Sequence, residues 1–442
     1  MKKKLFKAFI KQLDIESIPY CILSMHESYP EQIPSDVDFM VMPNHIIRLP
    51  SIIQRVAEQT GSLFVQTLQH ETSAFYFVLA KQESSHFVFL QPDSISDYRR
   101  NGRVWLSAER ILMRRRLCHK GFFVPAPDDA FIYYLMKKID KGSISENQGQ
   151  YLINLFNKAP EKCLKQMLSL WPKNSVRLFE TALKSNNWEI VCSQIPRLAK
   201  ELHQSAPLEN LPNRIMQWIH EIGRKINRVL FPTGLLIAFL GPDGCGKSSL
   251  IDKVVPDIAL AFRRAKIFHL RPRLVTKTAD NNDPVKEPHG QPERNWLISI
   301  VKLLYLFFDF NIGFILKVRP MLVRSTLVVF DRYYHDLIVD PKRQRYGGPI
   351  QLVLLISRLI IEPDIWIFLD AQAEVLQSRK REVSFDESSR QRRAYLTMAK
   401  GLSNSFVVDT ERPFDKVVSE VERIIMEYMA ERTSRQFGFQ NK

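Results

Sequence analysis

One short stretch, FLGPDGCGKSSL from Phe239 to Leu250, constrains this chain more than any other part of its sequence. It fits the pattern GxxxxGK[ST], follows an apolar run and precedes a segment with helical spacing. Glycines at this spacing let the backbone turn so that its N–H groups point at phosphate oxygens, and the helix that follows adds its own unpaired N–H groups. The stretch therefore predicts a phosphate-binding loop between a strand and a helix.

The side chains of this loop predict which cofactor it holds. In such loops the lysine, here Lys247, reaches the terminal phosphates of a nucleoside triphosphate, and the hydroxyl of Ser248 ligates Mg²⁺. ATP and Mg²⁺ are therefore the expected cofactors. The predicted cofactor-binding residues are Gly241, Asp243, Gly244, Gly246, Lys247, Ser248 and Ser249.

The sequence from Gly234 onward alternates short apolar runs with helical segments. The runs are GLLIAFL, STLVVF, DIWIFLD and SFVVD. Continuous apolar runs of this length are typical of strands that are buried on both faces of a parallel sheet. This part of the chain is therefore predicted to be α/β, with a doubly wound parallel sheet.

Residues 1–230 show a different pattern of apolar residues. The runs SAFYFVLAK and SHFVFLQ, within residues 1–126, predict neighbouring strands of an α+β domain. Residues 127–230 carry apolar positions at three- and four-residue spacing, broken by two prolines within 202–214, and predict a helical domain. The predicted third domain covers 231–432, and a tail covers 433–442.

Composition limits the functional classes. The 442 residues carry a formal net charge of +16, which suits phosphate-rich ligands or an anionic membrane surface. No long basic tail is present, so no sequence-specific nucleic-acid partner is expected. Five cysteines without paired spacing, and a basic N-terminus with no apolar core after it, favour a cytoplasmic protein.

One apolar segment, Trp296–Val318, resembles a membrane span in length. Lys302, Asp309 and Lys317 interrupt it, and charges in mid-span are costly. A buried or half-buried helix is therefore the predicted structure. Its aromatic content leaves a peripheral contact with a membrane surface or with a lipid-linked substrate among the expected partners.

Four motifs in order resemble the thymidylate kinase family. GPDGCGKSS resembles its phosphate-binding loop, and LVVFDRYYHD resembles its second motif, a strand that ends in Asp-Arg-Tyr. IWIFLDAQAEVLQSRKRE resembles the next strand with the arginine-bearing lid, and FVVDTERPFDKV resembles the last strand and the loop on the base side. The resemblance covers about residues 232–432 and implies a P-loop kinase fold.

The resemblance also implies roles for individual residues. Asp331 would hold Mg²⁺ through water, Arg332 would neutralise the transferred phosphoryl group, and Asp243 would meet a hydroxyl of the acceptor. Lid arginines would close over the nucleotide. The implied catalytic residues are Lys247, Asp331, Arg332 and Arg379; the metal residues are Ser248 and Asp331; the further lid candidates are Arg381, Arg390 and Arg393.

The acceptor stays open. Its candidates are Asp243, His269, Arg271 and Tyr333. A polar loop at 276–295 and a basic group at Lys342, Arg343 and Arg345 resemble a subgroup of thymidylate kinase-like proteins associated with bacterial surface-polysaccharide synthesis. The acceptor would be dTMP or another phosphorylated or sugar-bearing compound.

The N-terminal region resembles nucleotidyltransferase-like domains. Asp36 and Asp38 lie two apart in IPSDVDFMVM, so that a strand would place both on one face, where they could hold a divalent cation. The Gly-Ser turn of that group is replaced by LSMHES, and Gln91 stands at the third carboxylate unless Asp93 substitutes for it. A degenerate domain is predicted, with an active one as the alternative.

Several functions agree with these observations. The first is Mg-ATP-dependent phosphoryl transfer to a nucleotide or carbohydrate acceptor, and dTMP kinase activity proper is a narrower form of it. The others are a non-catalytic nucleotide sensor or scaffold in polysaccharide synthesis, and a bifunctional nucleotidyltransferase and kinase. The resembled family often forms homodimers, which makes a second copy an expected partner.

Overall fold

The computed structural model describes the whole chain except residues 24, 35, 72, 85, 210, 274–291 and 440–442. Two compact units are present: residues 1–81 with 89–225, and residues 82–88 with 226–442. The polar loop predicted at 276–295 lies outside the described residues except for its last four positions.

The first unit combines strands and helices. Its helices are α1 Lys2–Ile15, α2 Leu49–Thr60, α3 Ala108–Met113, α4 Pro127–Lys141, α5 Glu146–Asn157, α6 Pro160–Leu170, α7 Lys173–Ser185, α8 Glu189–Cys192 and α9 Ile195–Ser205, with α10 Leu211–Leu230 continuing past its boundary. Its strands are β1 Tyr20–Ile22, β2 Val37–Val41, β3 Leu63–Glu71, β4 Ala74–Glu83, β5 His86–Leu90, β6 Pro92–Ile95, β7 Tyr98–Arg100, β8 Arg103–Leu106, β9 Arg116–Leu117 and β10 Phe123–Val124.

The main sheet of this unit has the order β1-β2-β6-β4-β3, and β5 pairs with β4. The pairing of β4 with β5 confirms the neighbouring strands expected from the sequence. The boundary predicted at 126/127 does not separate two compact units, because Cys21 and Met40 from the sheet share one hydrophobic core with Phe131 and Phe179 from the helices. The helices bury their apolar stripes on the sheet and on each other.

The second unit contains a parallel sheet flanked by helices. Its strands are β11 Leu235–Leu240, β12 Arg264–His269, β13 Thr326–Asp331, β14 Ile365–Asp370 and β15 Ser405–Asp409. Its helices are α11 Lys247–Ile258, α12 Trp296–Gly313, α13 Arg319–Val323, α14 Asp336–Val339, α15 Ile350–Ser357, α16 Ala373–Arg379, α17 Phe385–Gly401 and α18 Phe414–Phe437, with a π-helical turn over Phe314–Val318. Short 3₁₀ helices cover Pro43–Arg48 in the first unit and Ala259–Ala261 and Lys342–Gln344 in the second.

All pairings in this sheet are parallel, in the order β12-β13-β11-β14-β15. Alternate residues such as Ala238 and Phe330 pack with α12, α15 and α17 on one face. Their neighbours Ile237 and Val329 are equally buried on the other, since successive strand residues point to opposite faces. The four apolar runs are confirmed as strands. The edge strand β12 was missed, because its sequence RAKIFH is largely exposed and carries no apolar run.

The apolar segment Trp296–Val318, predicted to be a buried or half-buried helix, is helical and partly buried. The helical stretch Trp296–Val323 is long and apolar enough to cross a membrane, and 33% of its most apolar window is buried. Leu303 and Phe310 pack in the core of the second unit, whereas Val301 and Phe308 are exposed. Contact of the exposed side with a membrane or a second copy stays a prediction.

A close contact in the first unit provides a test of its packing. A Cβ atom added to Gly149 on α5 would lie 2.2 Å from the ring of Trp188, which is buried. Alanine favours a helix over glycine by about 1 kcal/mol. Overpacking against a rigid indole costs about 1–3 kcal/mol, so Gly149→Ala is expected to lower the free energy of unfolding.

Gly223→Ala on α10 is the matched control, because a Cβ there meets nothing within 4 Å and only the helix preference remains. Urea denaturation of both variants measures the difference. A Gly149→Ala protein as stable as the Gly223→Ala protein would show that α5 and Trp188 are not packed as described.

Candidate active site

The largest of the described cavities, of ≈ 880 Å³, lies in the second unit at the carboxyl ends of β11 and β13. Open parallel sheets bind ligands at this edge. Its described lining is strongly basic. The lining cations are Lys247, Arg294, Lys302, Arg332, Arg343, Arg345, Arg379 and Lys380. The lining carboxylates are Asp243, Asp331 and Glu382; the other lining residues are Gly244, Gly246, Ser248, Ser249, His269 and Gln344.

The phosphate-binding loop lies between β11 and α11, as predicted. Gly241 has φ +149°, and a Cβ there would lie 2.6 Å from the carbonyl oxygen of Leu369. Gly246 caps α11 with φ +88°, a conformation that side chains rarely adopt. Both glycines are therefore required by the backbone, which leaves the N–H groups at the start of α11 facing the cavity.

Lys247 lies inside this loop. Its ammonium group donates to the carbonyl oxygens of Gly241 at 2.7 Å and Pro242 at 2.8 Å, and the side chain is 7% exposed. The Cys245 sulfur also lies 3.5 Å from this ammonium group, and none of its described hydrogen bonds is to a carboxylate. The ammonium group is therefore available to a phosphate anion.

Ser248 and Asp331 face each other at the start of α11 and the end of β13. The Ser248 hydroxyl donates to Asp331 Oδ2 at 2.9 Å. Burial raises the pKa of Asp331, but His269, Lys247 and Ser248 outweigh it, and the pKa lies below its ordinary value. The other oxygen, Asp331 Oδ1, is buried with no hydrogen-bond partner among the described residues. An ionised carboxylate with one unused buried oxygen beside a hydroxyl is a suitable oxygen set for Mg²⁺.

Arg332 is the centre of a buried ion-pair network. Its backbone is left-handed at φ +72°, and its N–H donates to the Phe239 carbonyl oxygen at 3.0 Å. The guanidinium donates to both oxygens of Asp336 at 3.0 and 2.9 Å and also to Asp243. The Tyr395 hydroxyl donates to Asp336 as well. Strained backbone of this kind is frequent at functional sites.

Asp243 is held by two arginines. Arg332 and Arg343 both donate to it, and Arg343 also reaches Glu382 at 3.5 Å. Burial raises the pKa of Asp243, but Arg332, Lys247 and Arg343 together hold it well below the usual range. Both carboxylate oxygens are therefore engaged by guanidinium groups.

The lid candidates are not equally placed. Arg379 lines the main cavity and a second, smaller one, and donates to the Thr410 carbonyl oxygen at 2.9 Å. Arg390 donates to Glu387 and to the Val339 carbonyl oxygen. Arg381 and Arg393 are exposed and are not among the described residues that line either cavity. Of the four arginines the structure brings only Arg379 to the cavity.

The acceptor candidates also separate. His269 lines the cavity, with Nδ1 3.7 Å from Asp331 Oδ2. Arg271 pairs with Asp309 at 3.3 Å and donates to the Tyr305 hydroxyl at 2.8 Å. The structure does not bring Tyr333 to the cavity, because its ring is buried in the core and its hydroxyl donates to the Ile361 carbonyl oxygen.

Three cavity cations were not singled out together from the sequence: Arg294, Lys302 and Arg345, which we call the basic cluster. The Arg294 N–H donates to the Arg345 carbonyl oxygen at 3.1 Å, and Lys302 donates to the Gln344 carbonyl oxygen at 2.5 Å. In the sequence, Lys302 stands out only as a charge that interrupts the apolar segment Trp296–Val318. A charge in the middle of an apolar run is the signal that could have found it.

No protein-family model matches the chain. A probable thymidylate kinase of Staphylothermus marinus is 32% identical over 122 residues, which are 26% of this chain and 59% of that protein. The thymidylate kinase of Leuconostoc mesenteroides is 23% identical over 236 residues, 46% of this chain and 100% of that protein. That of Thermosipho melanesiensis is 26% identical over 206 residues, 43% of this chain and 97% of that protein.

The chain is similar to thymidylate kinases. These distant relatives support a thymidylate kinase-like P-loop kinase within it. A sulfate/thiosulfate import ATP-binding protein of Pectobacterium atrosepticum is 27% identical over 159 residues, 34% of this chain and 44% of that protein, which agrees with binding of ATP.

Asp36 and Asp38, the paired aspartates of the first unit, have different neighbours from the carboxylates that line the main cavity of the second unit. Asp38 on β2 lies directly opposite Asp93 on the parallel strand β6. Lys137 from α4 pairs with Asp38 at 2.6 Å, while Asp36 is exposed. Among the described residues no group of three or more histidine, cysteine or carboxylate side chains could hold a metal ion. An ammonium group thus sits beside the carboxylates, and the nucleotidyltransferase-like assignment stays a prediction.

Asp93 makes the stability of this unit depend on pH. Burial, followed by the charge of Asp38, raises the pKa of Asp93 to about 7. Between its ordinary pKa and 7 the folded chain keeps a proton that the unfolded chain releases, so stability falls as pH rises through this window. Asp93→Asn is expected to remove the loss, raising stability at pH 8 by about 2 kcal/mol relative to the natural chain.

Hydrogen exchange of the β2 and β6 peptides in the full chain, measured at pH 5 and pH 8, checks this expectation. Glu161→Gln, an exposed position on α6, is the control and should not alter the pH dependence. Equal pH dependence in the Asp93→Asn and natural proteins would contradict the described burial of Asp93.

Proposed function

We propose that the second unit transfers the terminal phosphoryl group of Mg-ATP to an acceptor held in the ≈ 880 Å³ cavity. The observation that carries the proposal is the convergence of Lys247, the Ser248–Asp331 pair and Arg332 on one cavity at the carboxyl edge of a parallel sheet. Phosphoryl transfer requires positioning and positive charge around the transferred group, with little covalent chemistry from the protein.

Each of these residues has a distinct part. The N–H groups at the start of α11 and the ammonium of Lys247 bind the phosphates of the nucleotide. Ser248 and Asp331 would hold Mg²⁺, which would supply positive charge beside the phosphate oxygens. Arg332 is fixed by Asp243 and Asp336 and presents its charge without reorganising.

The smaller cavity, of ≈ 230 Å³, is the proposed site of the ATP base. It shares Gly246, Ser249 and Arg379 with the main cavity, so a nucleotide can extend from one to the other. Leu250 and Phe414 supply apolar and aromatic surface that suits a planar ring. Arg379 stands between the two and can contact the phosphates.

The relatives are named thymidylate kinases, which makes dTMP one candidate acceptor, and a phosphorylated or sugar-bearing compound is the other. The link to polysaccharide synthesis and the cytoplasmic location rest on the resemblance and composition alone.

Lys247→Ala tests the proposal. Loss of the ammonium group removes charge stabilisation of the transferred phosphoryl group, so acceptor-dependent ADP formation is expected to fall at least about 100-fold. The assay is ADP release in the presence of Mg²⁺ across nucleoside monophosphates and sugar phosphates.

Lys253→Ala provides the matched control, because Lys253 lies on the same helix, is exposed and pairs with Asp257 at 3.1 Å. Its turnover should equal that of the natural chain. A folded Lys247→Ala protein with undiminished turnover would refute the kinase assignment.

A further inference from the structure

The helix α10 presents its apolar side to solvent. Its sequence, LPNRIMQWIHEIGRKINRVL, repeats large apolar residues at three- and four-residue spacing, which places them along one side of the helix. All of α10 is described, and no residue in it is buried. We call this side the apolar stripe. Its exposed members, each between 49% and 66% exposed, are Leu211, Ile215, Trp218, Ile219, Ile226, Val229 and Leu230, and its half-buried member is Ile222.

The opposite side of α10 is polar, and it is the side that contacts the rest of the chain. The half-buried residues on this side, again at three- and four-residue spacing, are Gln217, Glu221, Arg224 and Arg228. Gln217 donates to Glu209, and Arg224 donates to the Gln69 carbonyl oxygen at 3.1 Å. A surface helix of a globular protein normally buries its apolar stripe and exposes its polar side. The orientation of α10 is the reverse, so the stripe is available to a surface outside the chain.

Positive charge borders the apolar stripe. Glu221 is the only acidic residue in the sequence of α10; Arg224 donates to its carboxylate at 2.8 Å, and the Lys225 Nζ atom lies 3.8 Å from it. Arg214 and Lys225 are exposed, and they lie four residues before and seven residues after Trp218, which puts all three on one border of the stripe. This border is therefore cationic.

A cavity of ≈ 670 Å³ in the first unit lies along the same border. Arg214, Trp218 and Lys225 all line it. Arg99 and Arg100 line it too, but carboxylates already pair with both of them. An indole ring beside an arginine and a lysine, next to an apolar stripe, is typical of helices that lie in the interface of an anionic bilayer.

A second copy of the chain fits this surface less well than a bilayer does. Two stripes that met would bring together the same cationic borders, and like charges oppose association. The stripe is also convex and about 30 Å long, because the helix has 20 residues. The bilayer interface accepts the whole side of such a helix without a complementary groove.

We propose that α10 attaches the chain to the surface of an anionic membrane, with the apolar stripe inserted at the level of the headgroups and with Arg214 and Lys225 on lipid phosphates. Apolar burial and the attraction of each cation to the surface both contribute to such binding. The contacts of Gln217 and Arg224 lie on the other side of the helix and stay in place. This helix is distinct from the apolar segment Trp296–Val318, and its attachment does not depend on the kinase function.

Cosedimentation of the full chain with lipid vesicles tests the proposal. Vesicles of phosphatidylcholine with about one third phosphatidylglycerol are expected to bind the natural chain, and binding should weaken as the salt concentration is raised. Vesicles of phosphatidylcholine alone are expected to bind it at least about tenfold more weakly. No binding to the anionic vesicles, or equal binding to both kinds, would overturn the proposal.

Variants locate the binding on α10. The double variant Ile215→Gln with Ile219→Gln should bind the anionic vesicles at least about tenfold more weakly, because two stripe side chains no longer enter the apolar layer. Lys225→Gln should bind them about fivefold more weakly. The matched controls, exposed on other elements of the first unit and expected to bind as the natural chain does, are Ile47→Gln and Lys162→Gln. Undiminished binding of the double variant would overturn the assignment to α10.

Two measurements without lipid distinguish the other possible occupants of the stripe. Sedimentation velocity should give the natural chain and the double variant the same oligomeric state, and thermal unfolding should give them the same Tm, because Ile215 and Ile219 are exposed. A dimer that the double variant loses would show that a second copy covers the stripe. A lower Tm would show that the chain itself covers it, and either result would overturn the proposal.

Discussion

The buried guanidinium of Arg332 is the interaction on which the rest of the site depends. It is 4% exposed and joins the end of β13 to the phosphate-binding loop through Asp243 and to α14 through Asp336. The backbone N–H of Arg332 also donates to the carbonyl oxygen of Phe239, which joins the end of β13 to β11. Removing one partner would leave a buried charge uncompensated, which destabilises a fold far more than loss of a surface pair. The network therefore fixes the end of β13, the phosphate-binding loop and α14 relative to one another.

The same network connects the two halves of the cavity. Asp243 belongs to the phosphate-binding loop, and its second guanidinium partner, Arg343, belongs to the loop that also carries Arg345. Movement of the phosphate-binding loop would therefore displace Arg343, and with it the loop of the basic cluster, through the carboxylate of Asp243. Because interiors transmit strain through packed groups and shared ion pairs, binding of nucleotide and acceptor should not be independent.

Sequence patterns predicted the scaffold better than the site. The strands β11, β13, β14 and β15 have continuous apolar runs that predict them, whereas the exposed edge strand β12 has none. Lys247 and Ser248 line the cavity, because a motif fixes their spacing to the backbone, and their part in binding a cofactor stays a prediction. Tyr333 does not line it, because a residue after a strand can turn either to the cavity or to the core, and only the packing against Trp366 and Phe310 decides. Lys302 and Arg345 come from distant segments, and no local pattern joins them.

The acidic side chains of the two units have different neighbours. In the second, Asp331 keeps one buried oxygen without a hydrogen-bond partner among the described residues, and a hydroxyl is its neighbour. In the first, the ammonium group of Lys137 pairs with Asp38, opposite the half-buried Asp93. A fixed cation offsets the carboxylates there as a metal ion would, but it offers no open coordination position for a phosphate or water. Divalent-ion chemistry therefore fits the second unit, whereas in the first unit an ammonium group already pairs with Asp38.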